Sequence, residues 1–178
     1  QARIRFDVLG ADGVTIIPQT QLGNLDRAVA QGAELEFTWR PISGLTVNTS
    51  GTYLDSEISA SGASAATFDG NPLPFAPKFS GTLAVDYEWP VGASLVAALG
   101  VDGKYVGKHY LRPERFAIDE EQYETLNARA SIGRDDGTWQ IELYGKNIGD
   151  KQYRVNAVGG IGNDVFAISQ PAVWGLAA

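Results

Sequence analysis

The stretch KFSGTLAVDYEW, residues 78 to 89, restricts what this chain can fold into more than any other segment. Phe79, Gly81, Leu83, Val85, Tyr87 and Trp89 fall on one side of its alternation, and Ser80, Thr82, Ala84, Asp86 and Glu88 on the other. Successive side chains of a strand point to opposite faces, so the segment reads as a strand with one greasy face and one polar face. Two settings accept such a strand. One is a soluble sheet with one face on a core and the other in water. The other is a membrane-spanning barrel, whose strands alternate apolar-out and polar-in.

The same period recurs along the chain. Leu95, Ala97, Leu99, Val101 and Tyr105 oppose Ser94, Asp102 and Lys104, and Leu126, Ala128, Ala130 and Ile132 oppose Thr125, Asn127, Arg129 and Ser131. Trp139, Ile141 and Leu143 oppose Gln140, Glu142, Tyr144 and Lys146. Upstream, Ala33, Leu35, Phe37 and Trp39 oppose Glu34, Glu36, Thr38 and Arg40, and Leu45, Val47 and Tyr53 oppose Thr46, Asn48, Ser50 and Thr52. With a strand near 2 to 9 and a last one near 167 to 178, about eight antiparallel strands are expected, and no segment has helical spacing of apolar residues.

The connections separate the two settings. PISG (41–44), Pro90-Val91-Gly92 and RDDG (134–137) read as tight hairpin turns. Residues 56–77, 108–122 and 149–166 read as long polar or glycine-rich loops. Short and long connections alternate, which puts every tight turn at one end of the sheet and every long loop at the other. Outer-membrane barrels have that asymmetry, and a Greek-key sandwich has no reason to keep it. An eleven-residue strand reaches roughly 36 Å, and a tilt near 40° projects that to roughly 27 Å, close to the apolar band of a barrel. Tyr87, Trp89, Trp39, Trp139 and Phe79 fall at strand ends, where interfacial aromatics belong. No apolar run approaches the ~18 residues that a membrane helix needs, a test that leaves barrel strands untouched.

Composition narrows the chemistry. The chain of 178 residues carries a net charge of −7 and no cysteine. There is no basic face for nucleic acid, and neither a disulfide framework nor a thiolate is available. His109 is the only histidine, sits in a long connection and has no nucleophile elbow to serve, so it reads as an exposed loop residue and no catalytic set is expected. Asp119, Glu120, Glu121 and Glu124 offer oxygen ligands of the kind that hold a hard cation, but a solvated acidic loop is the plainer reading, and no metal site or cofactor is expected. The glycines of VGGIGND (158–164) precede no helix and read as loop rather than as a phosphate cradle.

Several stretches together resemble one family. NLDRAVAQGAELEFTWRPISGLTV (24–47) is similar to a pattern of the TonB-dependent outer-membrane receptors through Asn24, Gly32, Glu34, Pro41, Gly44 and Leu45. DGNPLPFAPKF (69–79) resembles a family loop running into a strand, and YETLNARASIG (123–133) the family's third-last strand. Asn147, Ile148, Asp150 and Tyr153 resemble its Asn-Leu-x-Asp-x-x-Tyr motif. The resemblance implies that residues 1–178 are the C-terminal portion of an all-β, up-and-down transmembrane barrel of the 22-stranded, plugged type, without the plug domain. It also implies an outer-membrane location, contacts with lipid, with the rest of the barrel and with the plug, and TonB engaged through an N-terminal region outside this sequence. The opening QARIRFDV, which lacks an initiator Met, and a last strand without a terminal aromatic are read as signs of a fragment.

Glu34 is then expected to be a lumen-facing carboxylate paired with a nearby Lys or Arg, and Asn147 and Asp150 to shape a strand end. Ligand contact is expected from the long loops, where rigid scaffolds concentrate binding residues. The candidates are Tyr110, Arg112, Arg115 and Phe116, joined by Tyr153 and Arg154. Guanidinium forks suit carboxylate, catecholate or phosphate oxygens of a metal chelate, and aromatic rings suit flat ligands. Two rival architectures stay open: a self-contained eight-stranded barrel acting as anchor or adhesin, and a soluble β-sandwich binding module.

Overall fold

The computed structural model describes residues 2–9, 16–23, 25–114, 119–159 and 164–178. Its elements in chain order are β1 (Ala2–Leu9), β2 (Ile16–Gly23), β3 (Arg27–Trp39), β4 (Leu45–Ser59), a 3₁₀ turn (Gly62–Ser64), α1 (Ala65–Phe68), β5 (Phe79–Val91) and β6 (Leu95–Val106). They continue with β7 (His109–Tyr110), β8 (Asp119–Glu120), β9 (Tyr123–Arg134), β10 (Gln140–Lys146), β11 (Arg154–Gly159), β12 (Asp164–Ile168) and β13 (Val173–Ala177). Seven of these form one antiparallel sheet in the order β13-β10-β9-β6-β5-β4-β3, and β1 with β2, β7 with β8 and β11 with β12 make separate hairpins.

The register carries out the two-faced pattern. Directly paired residues of an antiparallel sheet share a face. Val85 lies opposite Val47 and Val101, Tyr87 opposite Leu45 and Leu99, and Leu99 opposite Ala130. Ile132 lies opposite Ile141, and Leu143 opposite Leu176. The apolar side chains therefore form one continuous face. Shifting any strand by one residue would exchange its faces, and this is what fixes the register.

No second layer covers that face among the described residues. Leu35 is 69% exposed, Leu83 and Leu99 are each 52% exposed, and Leu176 is 70% exposed. Among the described residues the buried apolar ones are Ile58, Phe68, Val106, Leu111 and Ala157, all from the end of the sheet that carries the long connections or from those connections. A soluble sandwich would bury the greasy face against a second sheet, so that architecture is overturned. The self-contained barrel fails as well, because β3 and β13 are the two edges of an open sheet and β1 pairs with β2 instead of closing it.

The end-to-end asymmetry is as expected. Short turns join β3 to β4, β5 to β6 and β9 to β10, and the long connections all lie at the opposite end. At the turn end Tyr87 stacks on Trp89 with centroids 5.2 Å apart. At the loop end Tyr53 meets Phe79 at 5.1 Å, Lys78 lies 5.8 Å over the Tyr53 ring, and its ammonium is 3.5 Å from Asp55. Aromatic rings thus border the apolar band on both sides.

Boundaries differ from the sequence reading in physically legible ways. The turn after β5 is not Pro90-Val91-Gly92. Pro90 and Val91 stay paired with Val96 and Leu95, and Gly92, at φ +71°, makes the reversal. The β3–β4 hairpin extends past the expected ends to pair Arg27 with Ser59. Beyond Tyr53 its polarity inverts, with Asp55 and Glu57 on the side that was apolar below, while Ile58 turns the other way and is buried. The expected last strand near 167 to 178 is only Val173–Ala177, because Asp164–Ile168 pairs with β11. Residues 108–122 and 149–166, read as loops, hold the β7–β8 and β11–β12 hairpins.

On the polar face Asp86, Gly100 and Arg129 occupy one row on three adjacent strands. The Arg129 guanidinium donates to the Asp86 carboxylate across the intervening strand. A Cβ on Gly100 would lie 2.6 Å from Asp86 Oδ1 and 2.7 Å from Arg129 Nε, so glycine clears the space the ion pair occupies. Glu34 faces the same side, opposite Thr52. The Lys or Arg partner expected for it is not found among the described residues, since it stands on the edge strand β3 with a neighbour on one side only.

Candidate functional site

Two of the long connections are tied directly to one another. The Phe75 N–H donates to the Tyr110 carbonyl at 2.8 Å, and Asn71 Nδ2 donates to the carbonyls of Pro113 and Thr67 at 2.9 Å each. Phe68 and Leu111 give these segments a small apolar core with Ile58. Exposed loops of this length would otherwise lose too much conformational entropy on ordering.

His109 is 7% exposed rather than a solvated loop residue. Its Nδ1 lies 3.0 Å from the Gly107 carbonyl, and its ring lies 6.4 Å from both Phe75 and Tyr123. Tyr123 in turn stacks on Tyr153 with centroids 3.8 Å apart and planes 9° from parallel. One aromatic series, Phe75–His109–Tyr123–Tyr153, therefore runs through all three long connections.

The acidic run is ion-paired rather than freely solvated. Lys108 Nζ is 2.6 Å from Asp119 and 3.1 Å from Glu121. Glu120, 8% exposed, faces Arg154 at 4.0 Å. The bond to Asp119 and then that to Glu121 hold the Lys108 ammonium well above its ordinary 10.5, and the Lys108 bond holds the Asp119 carboxyl below its ordinary 3.8. The raised lysine contributes stability in full below 10.5, which is lost as pH rises through its folded value. The lowered carboxyl contributes stability above 3.8, which is lost as pH falls through its folded value. Hydrogen-exchange protection of β7 and β8 is thus expected to be greatest near neutrality and to fall by about pH 2, with the sheet amides unaffected; equal protection at both pH values would contradict the assignment.

The six candidate binding residues separate as follows. Tyr110 is half-buried in β7, opposite Asp119. Arg112 donates to Glu114 at 3.0 Å. Arg115 and Phe116 lie outside the described residues. Tyr153 is stacked on Tyr123 and its N–H donates to Ser169 Oγ at 3.1 Å. Arg154 donates to the Asp119 carbonyl at 3.0 Å and lies 4.9 Å over the Phe166 ring, which links the β7–β8 and β11–β12 hairpins. Tyr153 also borders a cavity of about 440 Å³ with the polar-face residues Thr125, Asn127 and Lys146. The sequence reading did not single out Phe75, Tyr123 and Glu120 for this cluster. Tyr123, as the aromatic that opens a strand beside a long loop, carried the clearest signal of the three.

Asn147 and Asp150 shape a strand end, as expected. Both have positive φ, 48° each. Asn147 Nδ2 donates to the carbonyls of Lys151 and Gln170 at 3.0 Å each, and its Oδ1 accepts from the Lys151 N–H at 3.0 Å. Asp150 Oδ1 accepts from the Ala172 N–H at 2.9 Å. Asn127 completes the knot, donating to Asp102 at 2.7 Å and accepting from the Asn147 N–H at 2.8 Å.

Comparison with known proteins agrees with this geometry. A family model described as "TonB dependent receptor-like, beta-barrel" matches residues 3–148. The pesticin receptor of Yersinia pestis is 30% identical over 141 residues, which take in 75% of this chain and 19% of that protein. The crystal structure of the ferric yersiniabactin uptake receptor FyuA from Yersinia pestis shares the fold with a TM-score of 0.71 at 23% identity, over 84% of this chain and 23% of that one. The chain thus spans about a fifth of the length of the curated relative it matches. An open, single-layered, two-faced antiparallel sheet with all its long connections at one end, matched by the family model over more than half of its residues, identifies the chain as a member of the TonB-dependent receptor β-barrel family.

Proposed function

We propose that residues 1–178 work as the C-terminal part of the barrel of an outer-membrane active-transport receptor. In this reading the apolar face meets lipid, the polar face meets the plug, and the clustered long connections face outward and take up a scarce ligand such as a ferric siderophore. Import is driven by TonB acting through the N-terminal part of the receptor, and the chain catalyses no reaction. The observation that carries the reading is the exposed, continuous apolar face with a tied cluster of loops at one end. The name of one relative, a ferric yersiniabactin uptake receptor, supports a ferric chelate as the ligand class.

Within the cluster, Tyr110, Arg112, Arg115, Phe116, Tyr153 and Arg154 are proposed as ligand contacts. Arg112 would keep Glu114 as its anchor, and Tyr153 would offer a ligand the ring face turned away from Tyr123. The double substitution Arg112→Ala with Arg115→Ala in the full-length receptor is expected to weaken uptake of a radiolabelled ferric siderophore roughly tenfold or more, the loss of two charge-assisted contacts. Barrel yield should be unchanged. Normal uptake by this variant would sink the loop proposal.

A further inference from the structure

The hydrogen bonds around Asn147 do more than end a strand. They hold residues 169–172 to one path: the Gln170 carbonyl accepts from Asn147 Nδ2 at 3.0 Å, and the Ala172 N–H donates to Asp150 at 2.9 Å. Ser169 is tied twice to Tyr153, its N–H donating to the Tyr153 carbonyl at 2.8 Å and its Oγ accepting from the Tyr153 N–H at 3.1 Å. This segment and the polar face together border the cavity of about 440 Å³. Small-molecule sites commonly have volumes of roughly 300–1,000 Å³ and walls that are largely pre-formed. Here the wall is set by the fold itself, so a ligand would lose little affinity to ordering it.

One part of the lining is apolar. Val155 and Ile168 of the β11–β12 hairpin are 43% and 60% exposed, and both border the cavity together with Pro171 and Val173. They share this space with the polar-face residues Lys146 and Thr125, so contact with lipid does not account for their exposure. The Lys146 ammonium lies 5.6 Å over the Tyr144 ring and makes no ion pair among the described residues. No Asp or Glu is found among the described residues that line the cavity. Asp102, on the same face, already accepts from Asn127 at 2.7 Å. A lone cation beside a pre-formed apolar wall is complementary to an anion with an apolar body.

We infer that this cavity binds a small apolar carboxylic acid. The carboxylate meets the Lys146 ammonium and the Thr125 hydroxyl, and the body packs against Val155, Ile168 and Pro171 with the Tyr153 ring alongside. A flat body suits the site best, since an aromatic ring gains from stacking beyond the area it buries. The inference deepens the ligand reading above and rests on it in placing this face inside the barrel. It assigns a place to the acid group of a ligand, not to a metal, and it does not depend on Arg112 or Arg115.

The full-length receptor in mild detergent is titrated with a fluorinated naphthoate and, separately, with the matching fluorinated naphthalenemethanol, which has the same body and no charge. Line broadening in fluorine NMR reports binding. The wild type is expected to bind the acid roughly tenfold tighter than the alcohol, the effect of one charge-assisted contact. Lys146→Gln, at an exposed position, should erase that difference and leave binding of the alcohol unchanged. Arg112→Ala with Arg115→Ala should leave the difference intact, so a failure of the loop contacts in uptake and a failure of this site are read separately. Equal binding of acid and alcohol by the wild type, undiminished binding of the acid by Lys146→Gln, or no binding of either, as when the plug fills the cavity, would each overturn the site.

Discussion

Leu83→Arg in the full-length receptor is expected to destabilise the barrel in lipid by about 2 to 4 kcal/mol, the cost of a cation at the bilayer midplane. Leu83 lies midway between Phe79 at the loop end and Tyr87 at the turn end of β5, is 52% exposed, and has Gly103 as its neighbour on β6. Leu99→Arg should fall at the lower end of that range, because Leu99 sits opposite Tyr87 at the aromatic border, where a guanidinium reaches the interface more easily. Thr82→Arg, one residue from Leu83, points to the polar face, where Thr82 bonds Ser50 at 2.8 Å and lies opposite Lys104. Its cost should be at most ~1 kcal/mol, from one lost hydroxyl contact and one like-charge neighbour. Urea unfolding in vesicles, followed by tryptophan fluorescence, measures all three. Equal tolerance of the three substitutions would mean that the apolar face does not meet hydrocarbon.

Asn147→Ala is expected to cost about 2 to 3 kcal/mol, combining lost hydrogen bonds with the strain of a left-handed backbone. The carboxamide closes three bonds, two to Lys151 in the turn that leaves β10 and one to Gln170 in the segment leading into β13. Asn147→Gly separates the two contributions, since glycine adopts φ near 48° freely but supplies no carboxamide. It should recover about 1 kcal/mol relative to alanine, and the remainder measures the bonds. If the glycine and alanine variants unfold together with wild type, the knot does not hold the last strand in place.

Much of the sheet was legible because its period is short and its faces differ chemically. Leu95 to Tyr105 and Leu126 to Ile132 declare their sides residue by residue, and pairing apolar with apolar leaves one register. β2 was not legible: IIPQTQLG carries a proline and no clean alternation. The loop hairpins were hidden for a related reason, since β7 and β8 are two residues each and are held by ion pairs between residues such as Lys108 and Asp119 that no local pattern links. The acidic run was visible as composition, but the choice between solvated and paired depended on where the chain brings its lysine and arginine back. Asn147 and Asp150 were read as strand-end residues through the motif they resemble, and the structure supplies the physical reason, since Asn and Asp tolerate the left-handed region that both occupy.

The placement of the buried apolar residues found among the described ones constrains how such a chain reaches its fold. Ile58, Phe68, Val106, Leu111 and Ala157 gather at the loop end, and the seven-stranded sheet itself encloses nothing. In water, collapse has no interior to form around, and the exposed strands would instead offer their edges to one another as aggregates do. Pairing of the strands and entry into the bilayer must then proceed together.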